Sequence, residues 1–149
     1  MFEKIIGFVV MILIVSFSIV SGMQTNFIAI IDPHSFLLVV GITMGGLLFA
    51  YGRSFSICAL LEPFKKSGSP NKEALTKYNA FYNLASILAI GAGLIGVFIG
   101  AFIILLDMSD PHAIGAGCAV ALISLFYGLT LATLILQPMK YAIIHNANK

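Results

Sequence analysis

Four apolar runs dominate the chain, at residues 5–23, 35–52, 81–106 and 113–136, and none has an ionisable Asp, Glu, Lys, Arg or His in its central part. A helix of about 20 mostly apolar residues crosses a hydrocarbon core of roughly 30 Å. Lipid offers no hydrogen bonds to a bare backbone, so runs of this kind are expected to be helices that satisfy themselves. Only 9% of residues are charged and 60% are hydrophobic, whereas soluble domains carry about 25% charged residues. The expected fold is therefore an all-α membrane protein. It has one domain over residues 1–149 and four transmembrane helices at about 5–23, 35–60, 71–106 and 111–145. The first run follows Glu3 and Lys4 like the apolar part of a signal peptide. No small-x-small cleavage site stands near Ser21 and another span follows, so its retention is expected.

Orientation follows from the basic residues. Lys4, Arg53, Lys65, Lys66, Lys72, Lys77, Lys140 and Lys149 all fall on one side of a four-span arrangement, while the opposite loops hold Asp32, Asp107 and Asp110. Basic loops stay cytoplasmic, which puts both termini and the central loop inside. A net charge of +2 gives no reason to expect nucleic acid.

The second and fourth runs open alike, with Asp32-Pro33-His34-Ser35 and Asp110-Pro111-His112-Ala113. Aspartate caps exposed N–H groups, and proline fits the first turn because its missing N–H has no helical partner there. Each pair is expected to start an inward-running helix, so the chain reads as two similar hairpins, helices one–two and three–four. In the central loop, Ser67-Gly68-Ser69-Pro70 breaks the chain. Ser69 and Pro70 are expected to begin a helix that projects about four turns before it joins the third span.

Small residues are unevenly distributed. The first run is Ile, Val, Phe and Leu almost all round, which suits lipid. The third carries Gly93, Gly96 and Gly100 on one face; the fourth carries Gly117, Ala121, Ser124, Gly128 and Ala132; the second carries Gly41 and Gly45. Small residues mark close approach between membrane helices, because apolar side chains gain little by leaving lipid for each other. These stripes are expected to line the inside of a homo-oligomer built on helices three and four. Packing within a single four-helix bundle is the alternative.

The interior holds no carboxylate, so the chain by itself lacks a mid-membrane proton carrier. Nucleophile–base pairs and metal clusters are absent from the sequence pattern, and neither enzymatic activity, a metal nor a cofactor is expected. His34, His112 and His145 each stand at a helix end, and Cys58 and Cys118 are expected at different depths, unbridged. The internal hydroxyls Ser16, Ser18, Thr43, Ser86, Ser124, Thr130 and Thr133 are expected mostly to bond the backbone one turn back. Ser124 lies on the small-residue face at mid-depth and is the candidate pore-lining hydroxyl.

Three segments taken together resemble the last two helices of MotA/PomA flagellar stator subunits, in the wider group with TolQ and ExbB. They are Gly93-Leu-Ile-Gly-Val-Phe-Ile-Gly100, Asp107-Met-Ser-Asp-Pro-His-Ala-Ile-Gly115 and Ala119-Val-Ala-Leu-Ile-Ser-Leu-Phe-Tyr-Gly128, followed by Gln137-Pro138. Ile31-Asp32 through Gly41 resembles the start of that family's second helix. The resemblance implies a pentamer in a bacterial inner membrane around a pair of single-span partners of the MotB, PomB or ExbD type. The partner's aspartate would carry the ion. It also implies that Val97 and Leu125 line the path with the stripe residues, and that Pro138 is the family proline after the fourth helix.

The chain departs from that pattern in four ways. Ile90 stands where the family has a proline early in helix three. Val97 and Leu125 stand where sodium-type members carry threonine, which favours protons. The cytoplasmic segment between helices two and three is short where members carry a large rotor-contacting domain. The first helix shows no match. The expected function is a reduced stator-type channel subunit that couples proton flow to mechanical work. The alternative is a non-conducting structural or regulatory membrane subunit that keeps only the oligomerising helices.

Overall fold

A computed structural model of the protein describes residues 2–22, 32–64, 71–106 and 108–147. Helix α1 spans Phe2–Gly22 and α2 spans Pro33–Leu61, followed by a single 3-10 turn at Glu62–Phe64. Helix α3 spans Lys72–Leu106, and α4 spans Pro111–Thr130. A π-helical stretch, Leu131–Leu136, joins α4 without a break to α5, Gln137–Ala147. Among the described residues, three helices are long and apolar enough to cross a membrane: Pro33–Leu61, Lys72–Leu106 and the continuous Pro111–His145.

Both Asp-Pro starts form as expected. The Asp32 carboxylate accepts from the backbone N–H groups of His34 and Ser35, at 3.2 and 3.0 Å, and from the Ser35 hydroxyl. That hydroxyl is the main cause that holds the Asp32 carboxyl below the ordinary carboxylate value. Asp110 accepts from the His112 N–H at 2.9 Å, and Pro33 and Pro111 occupy the first turns. Helix α3 begins at Lys72, where the Leu75 N–H donates to the Asn71 carbonyl. The expected Ser69–Pro70 start, Asp107, and the loop lysines Lys65 and Lys66 lie outside the described residues.

Two interruptions shape the bundle. Gly52 has φ 74° and ψ 166° inside α2, a conformation that glycine adopts without a Cβ penalty. The Ser56 hydroxyl donates to the carbonyls of Gly52, at 2.8 Å, and of Leu47, at 3.3 Å. In a straight helix, residues nine apart are separated by about 13.5 Å along the axis, so the chain turns sharply at Gly52. The helix expected over about 35–60 does run on past the apolar stretch, but only after this bend.

The π stretch has its cause in Pro138. Proline cannot donate to the Leu134 carbonyl, and its ring collides with that carbonyl in a regular α-helix. Widening the turn relieves both problems, and the Gln137 N–H donates five residues back, to Ala132.

The core sits where α2, α3 and the α4–α5 rod converge at the basic end. It contains Leu47, Ala59, Phe81, Tyr82, Ala85, Ala89, Ala132, Leu136 and Ile143. Tyr51, Phe55, Tyr78, Phe81 and Tyr82 form a connected aromatic group with ring centroids 5.3–5.9 Å apart.

The two-hairpin expectation needs correction. Helices α3 and α4 close a tight hairpin, but α1 packs chiefly against Leu131–Leu136 rather than against α2. Its side chains explain this. Leu13, Ile14 and Phe17 are 60–73% exposed, and bulky chains all round a helix keep its backbone away from a neighbour.

Candidate functional site: the seam between the third and fourth helices

Gly93, Gly96 and Gly100 of α3 face Gly117, Ser124 and Gly128 of α4, and all six are buried. The main chains touch. A Cβ at Gly128 would lie 2.5 Å from the Ala89 carbonyl oxygen, and one at Gly117 would lie 2.6 Å from that of Gly100. A Cβ at Gly93 would meet the Ser124 carbonyl at 3.1 Å. At Gly100 it would fall on the Gly117 carbonyl, and at Gly96 on the Ser124 side chain. From Ala89 to Ile104 this seam runs about 22 Å, most of the thickness of a bilayer core.

This geometry corrects the reading of the stripe. Gly93, Gly96, Gly100, Gly117, Ser124 and Gly128 were expected to line the inside of an oligomer, but the protomer fills that space with its own two helices. Small residues on both helices match in one antiparallel register, so the nearest complementary surface is the helix across the turn. Ser124 is fully buried, and its hydroxyl donates to the Val120 carbonyl at 2.6 Å, one turn back. It has no free face to offer an ion. Of the other candidates, Val97, Ala121 and Leu125 flank the seam and remain half-buried.

Helix α3 is continuous through Ile90, so the position where the family has proline carries no kink. Gly41 and Gly45 of α2 are exposed, and a Cβ at either would meet nothing within 4 Å.

A polar layer lies below the seam and went largely unseen in the sequence. The Tyr82 phenol donates to the Ala59 carbonyl at 2.8 Å. The Ser86 hydroxyl donates to the Tyr82 carbonyl at 2.9 Å and accepts from Gln137 Nε2 at 3.4 Å. Lys140 Nζ donates to Asn83 Oδ1 at 2.7 Å. In the sequence, Ser86 stands out only as an internal hydroxyl, Gln137 as the neighbour of Pro138 and Lys140 as a basic residue of the inner side. Their pairing across α3 and α5 needed the rotational phase set by the π stretch. Thr43 and Thr133 bond carbonyls one turn back, as expected, at 2.7 Å each.

No Asp, Glu, Lys, Arg or His stands between His34 and Arg53, between Lys77 and Asp107, or between His112 and Lys140. The hairpin supplies close main-chain packing, and its spans bring no Asp, Glu, Lys, Arg or His to mid-depth.

Residues 63–149, well over half of the chain, match the model of the MotA/TolQ/ExbB proton channel family. Motility protein A of Cereibacter sphaeroides is 43% identical over 47 residues, which is 32% of this chain and 19% of that protein. The uncharacterized protein YtxD of Bacillus subtilis (strain 168) is 36% identical over 47 residues, 32% of this chain and 17% of that protein. The matched stretch thus spans less than a fifth of either relative. A glycine-seamed hairpin whose spans carry no carboxylate at mid-depth, and a family match over residues 63–149 that contains it, identify the chain as a member of the MotA/TolQ/ExbB proton channel family.

Proposed function

We propose that this chain is a stator-type channel subunit of a bacterial inner membrane, like MotA or PomA. With a single-span MotB- or ExbD-like partner it couples proton flow to mechanical work. Four spans carry it: α1 joins the three apolar helices as a lipid-facing span, and both termini lie on the basic, cytoplasmic side. Copies form a ring around the partner, whose aspartate supplies the titrating group. The observation that carries this reading is the family hairpin itself, with no Asp, Glu, Lys, Arg or His between Lys77 and Asp107 or between His112 and Lys140. An ion path then runs past the half-buried Val97, Ala121 and Leu125 at the edge of the seam, because the seam itself is closed. Val97 and Leu125 offer no oxygen to replace sodium's hydration shell, which favours protons.

One observation favours a second reading, a non-conducting structural subunit: the seam leaves no polar group free between α3 and α4. Co-expression with aspartate-bearing single-span partners, reconstitution and a proton-flux assay tests the choice. The proposal expects a complex heavier than the protomer and flux that disappears when the partner's aspartate becomes asparagine. A monomer in detergent, or no flux with every such partner, overturns it.

A further inference from the structure

Helix α2 is already long enough before its bend. From Pro33 to Tyr51 it rises about 28 Å, which matches a bilayer core of roughly 30 Å. The Asp32 cap marks one surface, and Gly52 with Arg53 marks the other. The other helices agree on that level. About 30 Å back from Leu106 along α3 is Ile87, and about 30 Å beyond Pro111 is Thr130, where the π stretch starts. The rings of Tyr51, Tyr78 and Tyr82 cluster at or below this plane, where aromatic side chains commonly sit. Residues 53–61 therefore begin at a membrane surface.

They do not continue along α3 in the antiparallel course of the first half of α2. Phe55 stacks on Tyr78, yet Ala59, one turn further on, accepts from the Tyr82 phenol. A course antiparallel to α3 would carry Ala59 away from Tyr82, towards lower residue numbers. The segment crosses α3, and its Glu62–Phe64 end reaches α5. Its inner face, Phe55, Ser56, Ala59 and Leu60, packs on the core. Its outer face, at helical spacing, is Arg53, Ile57 and Leu61 beside Ser54; Ile57 is 50% and Leu61 53% exposed. Arg53 has no hydrogen bond or ion pair among the described residues.

We propose that residues 53–61 form an interfacial arm that binds anionic phospholipid, with Arg53 on the headgroup phosphate and Ile57 and Leu61 among the upper acyl chains. A guanidinium pairs with phosphate through two parallel donors, and apolar neighbours one and two turns on match the shallow hydrocarbon. The lysines that follow the arm in the sequence, Lys65, Lys66 and Lys72, add attraction of the same sign. The arm is set by Gly52 and not by conduction, so it stands apart from the stator reading.

The chain contains no tryptophan, so a single introduced indole reports depth without background. Ile57→Trp and, separately, Leu61→Trp are placed in phosphatidylglycerol vesicles whose acyl chains carry bromine at shallow or deep positions. Both are expected to be quenched best by shallow bromine. Met44→Trp, at the centre of the α2 span and 40% exposed, is expected to be quenched best by deep bromine, and it reports on the span separately. Indoles at 57 and 61 that emit as in water, that follow Met44→Trp to depth, or that are shielded yet unquenched beneath a second copy overturn the arm. Native mass spectrometry tests the headgroup: Arg53→Gln is expected to retain severalfold less phosphatidylglycerol, with phosphatidylcholine unchanged. Lys77→Gln, already paired with Glu73 at 3.1 Å, serves as the control. Equal phosphatidylglycerol retention by Arg53→Gln and the parent overturns the proposal.

Discussion

Gly96 and Ser124 share one space: a methyl group on Gly96 would coincide with the side chain of Ser124, which is fully buried. Gly96→Ala is therefore expected to destabilise the protomer by about 1–3 kcal/mol, the usual range for an overpacked core, and Gly96→Leu to prevent the hairpin from closing. Ser124→Gly returns the missing volume. Thermal unfolding in detergent should show the Gly96→Ala/Ser124→Gly pair more stable than the sum of its single changes. Strict additivity would mean that the two residues do not meet.

Gly52 and Gly45 both have empty surroundings, but their backbones differ. A Cβ at either meets nothing within 4 Å, while Gly52 alone has a positive φ of 74°. Gly52→Ala is expected to cost about 1–3 kcal/mol, because φ 74° with ψ 166° is a backbone region open essentially to glycine alone, and Gly52→Asn to cost about as much. Gly45→Ala is expected to be neutral or stabilising, because alanine is the better helix former by up to about 1 kcal/mol. Melting temperatures of the three variants check the opposite signs.

Pro138 sets the rotational phase of α5. Pro138→Ala restores the missing N–H, so the helix is expected to return to regular turns and to rotate α5 by about 100°, one residue's worth. Lys140 then leaves Asn83, and Gln137 leaves Ser86. Oxidative cross-linking of an Asn83→Cys/Lys140→Cys pair in a chain without Cys58 and Cys118 should fall severalfold when Pro138→Ala is added.

The Asp32 cap makes one pH-dependent contribution. Its folded carboxyl titrates below the ordinary carboxylate value, chiefly through the Ser35 hydroxyl. The depressed value means that this stabilisation is complete above the unfolded pKa and is lost as pH falls through the folded one. Ser35→Ala should bring the carboxyl back towards its ordinary value and shrink the loss of melting temperature between neutral pH and about pH 3. Asp32→Ala should cost about 0.5–2 kcal/mol at neutral pH.

Much of this was legible in the chain. Asp32-Pro33 and Asp110-Pro111 mark helix starts because cap chemistry is local, and the apolar runs mark the spans because lipid admits few alternatives. What stayed hidden depends on contacts between distant residues. A stripe such as Gly93-Gly96-Gly100 says that something comes close, but not whether it is Ser124 of the same chain or a neighbour's helix. Gly52 ends an apolar run in the sequence, and nothing nearby distinguishes a helix end from a bend followed by more helix. Pro138 was noted as a family feature, while its effect, a widened turn that aims Gln137 at Ser86, needs the far side of the bundle. The spacing of Ser124 fits the small face and so suggests a pore hydroxyl; its partners are the Val120 and Ala121 carbonyls, and its side chain fills the hollow at Gly96.

Along the seam a carbonyl of one helix rests against an α-carbon of the other, so neither can slide by a turn without driving oxygen into carbon. The pair behaves as one stave. Whatever displacement this subunit undergoes in a membrane must appear as tilting or pivoting of that stave, with compliance confined to the glycine elbow in α2 and the loosened turn above Pro138.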